Sequence, residues 1–121
     1  MTFSHCAQVI FPGSPLFIYA APELAYSMLV PMLEFSSNGT DVTTCPHDLG
    51  TFPIGFVHRG QGESMPLEET ANMLLMLAAI AQRRGNGTDF IAPKYWPLLA
   101  VWNEYLVATA KAPALQGCTD E

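Results

Sequence analysis

Residues 62–85, GESMPLEETANMLLMLAAIAQRRG, decide the fold. Proline is favoured in the first turn of a helix, where its missing N–H is no loss, so Pro66 marks a start. Arg83 and Arg84 suit the negative end of a helix dipole, and Gly85 suits a left-handed cap. In between, Leu67, Leu74, Leu75, Leu77, Ala78 and Ala81 make the segment apolar nearly all round. Such a helix is buried on more than one side. The spacing predicts a helix over 66–84.

Working outward, Pro22 starts another helix inside an apolar segment that runs from about Ser14 to Phe35. Leu24, Met28, Met32 and Phe35 recur at helical spacing, and Leu29, Val30 and Leu33 fill other faces. Pro31 falls inside it, where it removes a hydrogen bond and should kink the helix. Downstream, Thr88 or Asp89 opens a third helix over about 91–110, with Tyr95, Leu98, Leu99, Trp102, Tyr105 and Leu106 on its buried side. Trp96 and Trp102 both read as core residues. Residues 36–64 form a long loop, and loops of that length in compact domains are usually functional or disordered. Leu49, Phe52, Ile54, Phe56 and Val57 argue that it is packed. No segment alternates convincingly as a strand. The expectation is an all-α chain with three main helical segments, read as a single unit over 1–121.

Composition narrows the function. Half of the residues are hydrophobic and only 13% are charged. That surplus is large for a small chain, whose surface per residue is high. It implies burial against a partner or membership of a larger body. The formal charge of −6 argues against nucleic acid, whose binding is chiefly electrostatic, and gives no support to an anionic membrane surface. The longest apolar run, Met73–Ala81, is about half of the roughly 20 residues that span a bilayer. Met1–His5 lacks the basic flank of a signal peptide. Cys6, Cys45 and Cys118 form no CxxC pair and leave one disulfide or three thiols open. Asn38-Gly39-Thr40 and Asn86-Gly87-Thr88 are N-glycosylation acceptors placed where surface loops are expected, which favours secretion.

Chemistry concentrates beside the central helix. Glu68 and Glu69 occupy its first turn, and Pro46-His47-Asp48-Leu49-Gly50 precedes it. Acidic residues there stabilise the positive helix end by about 0.3–1 kcal/mol, which is the structural reading. General acid–base work is the functional one. Adjacent helical positions point about 100° apart, so one glutamate faces a site and the other caps. Glu69 and Asp48 are the expected pair, with Glu68 as the cap. Asp48 otherwise closes a turn with Gly50. His47 and His58 could orient substrate or carry protons. Cys45, His47, Asp48 and His58 match no standard zinc spacing, so no metal is expected. No GxSxG, SxxK or phosphate loop occurs.

PGSPLFIYAAPELAYSMLVPMLEF, PHDLGTFP, ESMPLEETANMLLMLAAIAQRRG, WPLLAVWNEYLV and CTDE follow in an order and spacing that resembles the glutaminase A family. MPLEE with the downstream NML is the most specific part. The sequence departs from the family pattern at Val57-His58-Arg59-Gly60 and at Thr70-Ala71. The resemblance implies part of an (α/α)6 toroid like that of six-hairpin glycosidases, in a secreted enzyme that hydrolyses L-glutamine to L-glutamate and ammonia. It implies no cofactor, and glutamine as the small-molecule partner. It implies catalytic roles for Asp48, Glu69 and Glu68 and substrate contacts from His47, His58 and Asp120. This chain would be a slice of such a protein, inactive alone, with the remaining hairpins elsewhere. The alternatives are a glycoside hydrolase on the same toroid and a non-catalytic truncated helical protein.

Overall fold

The computed structural model describes residues 7–39, 43–50, 65–85, 87–91 and 93–112. Four helices follow one another: α1 (Ala7–Ala20), α2 (Pro22–Asn38), α3 (Pro66–Arg84) and α4 (Trp96–Thr109). No strand occurs among the described residues, and the chain is all-α. The described part of the long loop, 43–50, is irregular as expected. Residues 51–64 lie outside the described residues, and the packing expected of Phe52, Ile54, Phe56 and Val57 lies there too.

Three helical segments were expected, and four are present among the described residues. The unexpected one is α1, which contains Pro12 and Pro15. Each proline removes one backbone bond, and a proline in a helix interior costs about 3 kcal/mol. Local signals therefore argue against this helix. Burial offsets them: α1 packs chiefly on α3 and then on α2, placing Ile10, Phe11, Phe17 and Ile18 against the core. Only Ala21 separates α1 from α2, its N–H donating to the Phe17 carbonyl at 2.8 Å. Pro22 then starts α2 as expected, and the helix runs through Pro31 to Asn38.

The buried stripe of α2 is Ala25, Leu29, Met32, Leu33 and Ser36. This corrects the expected stripe, because Leu24 and Phe35 are exposed. Both stripes have helical period, and only the packing partner selects the face that turns inward. α3 begins and ends where punctuation put it: Gly85 caps it at φ 75°, with its N–H on the Ala81 carbonyl. Its buried residues include Met73, Met76, Leu77, Ile80 and Ala81, whereas Leu75 and Ala78 are exposed. α4 starts later than expected. Turns over 87–95 precede it, closed by Ile91 N–H to Thr88 O and Tyr95 N–H to Ile91 O. Tyr95, Leu98, Leu99 and Trp102 are buried, while Tyr105 and Leu106 are only partly so. Trp96 is 54% exposed, which corrects its reading as a core residue.

The core joins Leu29, Met32 and Leu33 to Met73, Met76, Leu77 and Ile80, and closes with Leu98, Leu99 and Trp102. Apolar side chains are left outside it. Val9, Leu16 and Tyr19 on α1 and Val107 on α4 are each exposed by two thirds or more. This is where the compositional surplus goes. No helix among the described residues is long and apolar enough to cross a membrane.

Candidate functional site

The site forms where the loop over 43–50 meets the first turns of α3. Pro66 opens that helix, and Met65 before it is held at φ 32°, ψ 50°, a left-handed conformation that carries no side-chain cap. The Met65 carbonyl accepts the N–H of Glu69 at 3.0 Å. This closes the first turn and fixes the rotation of the two glutamates. Glu69 is fully buried and Glu68 only partly so. The 100° step between neighbours has sent one carboxylate into the protein and left the other near water.

Asp48 is buried, at 7% exposure. Its Oδ1 accepts the N–H of Gly50, and Gly50 sits at φ 88°, where a side chain would be disfavoured. The expected aspartate turn is therefore present. Its other oxygen, Oδ2, lies 2.9 Å from His47 Nδ1. Which atom donates in this contact depends on the imidazole tautomer. The opposite ring nitrogen, Nε2, is 4.0 Å from Glu69 Oε1. His47 thus stands between two carboxylates, one from its own loop and one from α3.

A second contact ties loop to helix. The Cys45 N–H donates to Thr70 Oγ1 at 2.9 Å, with Cys45 1% exposed and Thr70 fully buried. Within the loop, the Cys45 thiol lies 3.5 Å from the Pro46 carbonyl. Asn72, one helical turn on from Glu68, is also buried. The inner face of this end of α3 is consequently polar: Glu69, Thr70 and Asn72.

The structure brings together Asp48, His47 and Glu69 and leaves Glu68 only partly buried. His58 and Asp120 lie outside the described residues. Among the described residues, no group of three or more His, Cys, Asp and Glu is placed to hold a metal ion. Asn38 is exposed, but as the last residue of α2 rather than in a loop, with its amide donating to the Glu34 carbonyl at 2.8 Å. Asn86 lies outside the described residues. Thr70 stood out in the sequence only as a departure from the family pattern, not as a contact of the loop, and Met65 did not stand out as a strained position. A hydroxyl directly after paired glutamates was the available signal for Thr70; nothing local marks Met65.

Proton transfer is the chemistry this arrangement suits. A carboxylate that fixes one imidazole nitrogen orients the other, and a buried carboxyl beside it can exchange a proton through the ring.

Comparison with known proteins supplies the context. The family model described as the glutaminase A six helical-hairpin domain matches residues 5–121. Glutaminase A of Aspergillus oryzae is 41% identical over 117 residues, covering 94% of this chain and 17% of that protein. A protein named "Probable glutaminase" from Arthroderma benhamiae is 41% identical over 72 residues, covering 57% of this chain and 8% of its own length. The chain therefore spans less than a fifth of the relatives it matches. No solved structure matches it. Four helices and no strand among the described residues fit part of a six-hairpin helical toroid.

Proposed function

The chain belongs to the glutaminase A six helical-hairpin family, and from that premise we propose that it is a segment of an amidohydrolase converting L-glutamine to L-glutamate and ammonia. In this reading the segment is part of one larger toroid domain, and the other hairpins complete the site. The observation that carries the reading is the convergence of Asp48, His47 and the fully buried Glu69 at the mouth of α3. Amide hydrolysis near neutral pH needs a base to take a proton from water and an acid to return one to the departing nitrogen. Water adds to the carboxamide carbon, the C–N bond breaks, and ammonia leaves. Asp48 and Glu69 serve as the two carboxyl groups, with His47 between them. Glu68 serves as the helix-end charge. The names of both relatives favour an amide substrate over a glycoside.

The test replaces Asp48→Asn and Glu69→Gln in the full-length protein. Loss of general acid–base catalysis typically costs about 10²–10⁴-fold, so each variant should lose at least about 100-fold in kcat. KM should change much less, because the lost interaction acts in the transition state. Near-normal turnover in both variants, with a native circular dichroism spectrum, would place the chemistry in other hairpins. The 121-residue chain alone should not hydrolyse glutamine, because preorganised groups from several hairpins supply the rate. The proposal extends to a secreted glycoprotein with glycans on Asn38 and Asn86, and mass spectrometry of the secreted protein would find both occupied.

A further inference from the structure

We propose that Thr70 is a positioning residue of this site. Its buried hydroxyl holds the loop carrying His47 and Asp48 on α3 and so sets where His47 meets Glu69. The catalytic consequence rests on the function proposed above; the anchoring itself does not.

The loop over 43–50 has no regular secondary structure, so specific contacts must fix its place. The bonds of Asp48 to Gly50 and to His47 shape the loop internally. They do not locate it on the helix. The bond from Cys45 N–H to Thr70 Oγ1, at 2.9 Å, does. It joins residues 25 apart in sequence, and both are buried. A helical threonine ordinarily turns its hydroxyl to the carbonyl one turn back. Here the oxygen accepts a distant backbone N–H. Thr70 directly follows Glu69, and Cys45 stands two residues before His47. The anchor therefore lies beside both partners of the 4.0 Å contact between His47 Nε2 and Glu69 Oε1. Displacing reacting groups by about 1 Å can cost about 10²-fold in rate. A slack anchor would thus be felt as lost turnover, even though Thr70 touches no reacting atom.

The experiment compares Thr70→Val with Thr70→Ser in the full-length enzyme. Valine keeps the shape and removes the acceptor; serine keeps the acceptor. Thr70→Val should lower kcat by about 10–100-fold, the upper bound being that for a displacement of about 1 Å, with KM nearly unchanged. Thr70→Ser should recover most of the loss. Hydrogen exchange over 43–50 should accelerate in the valine variant and stay slow in the serine variant. If the valine variant does not fold, Thr70→Ala takes its place, since it also removes the acceptor and adds no bulk. Unchanged kcat without the acceptor would overturn the proposal, as would a serine variant as impaired as the valine one. If the wild-type enzyme leaves glutamine intact, the substrate assignment fails instead. The exchange comparison then still decides whether Thr70 anchors the loop, and unaltered exchange in the valine variant would refute it.

Discussion

Arg84, in the last turn of α3, offers a test of which force fastens α2 and the following turn to that helix. Its Nε is 2.9 Å from Glu23 Oε1. Its guanidinium carbon lies 4.3 Å from the centre of the Phe90 ring and 5.8 Å from that of Tyr26. Those rings meet edge to face at 4.8 Å, and the Tyr26 hydroxyl donates to the Phe90 carbonyl at 3.3 Å. The ion pair looks dominant, but Glu23 is 70% exposed while Arg84 is 18% exposed. An exposed partner contributes little, about 0–1 kcal/mol. A cation over a ring is worth about 0.5–1 kcal/mol at the surface and about 2 when desolvated, which puts Arg84 on Phe90 near 1 kcal/mol. Double-mutant cycles with Arg84→Met, Phe90→Leu and Glu23→Gln, read by urea unfolding, separate the two. Methionine keeps the apolar stem and removes Nη1, which is buried without a hydrogen-bond partner among the described residues. The coupling of Arg84 to Phe90 should exceed its coupling to Glu23. Added salt should erase only the latter. A larger Glu23 coupling that survives salt would refute the reasoning.

Two further perturbations probe the α2–α4 junction and the mouth of α3. Glu34 accepts hydrogen bonds from Lys94 and Tyr95, which hold its carboxyl below its ordinary value of 4.5, Lys94 most of all. The stabilisation is thus complete above about pH 4.5 and is lost as pH falls further; the melting-temperature gap between wild type and Glu34→Gln should close on acidification, and a gap unchanged at about pH 3 would contradict this. Met65→Gly should relieve about 1 kcal/mol of left-handed strain but lose about 1.5–3 kcal/mol of burial, because Met65 is 4% exposed. Urea unfolding should therefore show a net loss of about 1 kcal/mol, and a gain would mean that the backbone term dominates.

The legible parts of the sequence were those punctuated locally. Pro66, Arg83, Arg84 and Gly85 bounded α3 to the residue, and Pro22 did the same for the start of α2. α1 was illegible because Pro12 and Pro15 argue locally for interruption, while its support comes from α3, far away in sequence. The rotation of α2 was misread for a similar reason. Periodicity reports that a helix has an apolar stripe, and a helix with two such stripes needs its neighbours to choose between them. Trp96 shows the same limit, since side-chain size suggested burial and its place at the start of α4 left it outside. At the site, the carboxylates and His47 were visible as unusual chemistry beside a helix start. The Cys45–Thr70 bond was not, because it joins residues that no local pattern relates.

The distribution of polarity along α3 gives the strongest physical reason to look for function at its beginning. One inward face carries Glu69, Thr70 and Asn72 at one end and Met76, Leu77 and Ile80 at the other, all buried. Propensity and packing alone would have filled both ends with apolar side chains. A buried polar group costs free energy unless it is hydrogen-bonded, and a buried charge costs more. Thr70 meets that need through the Cys45 N–H, while the apolar half of the same helix forms the core with α2 and α4. Departures from local consistency of this kind cluster at working sites. The left-handed Met65, the Asp48 turn and the His47 contact lie at this same polar end. Independent local peculiarities that converge on one end of one helix support an acid–base site there more strongly than any of these residues would alone.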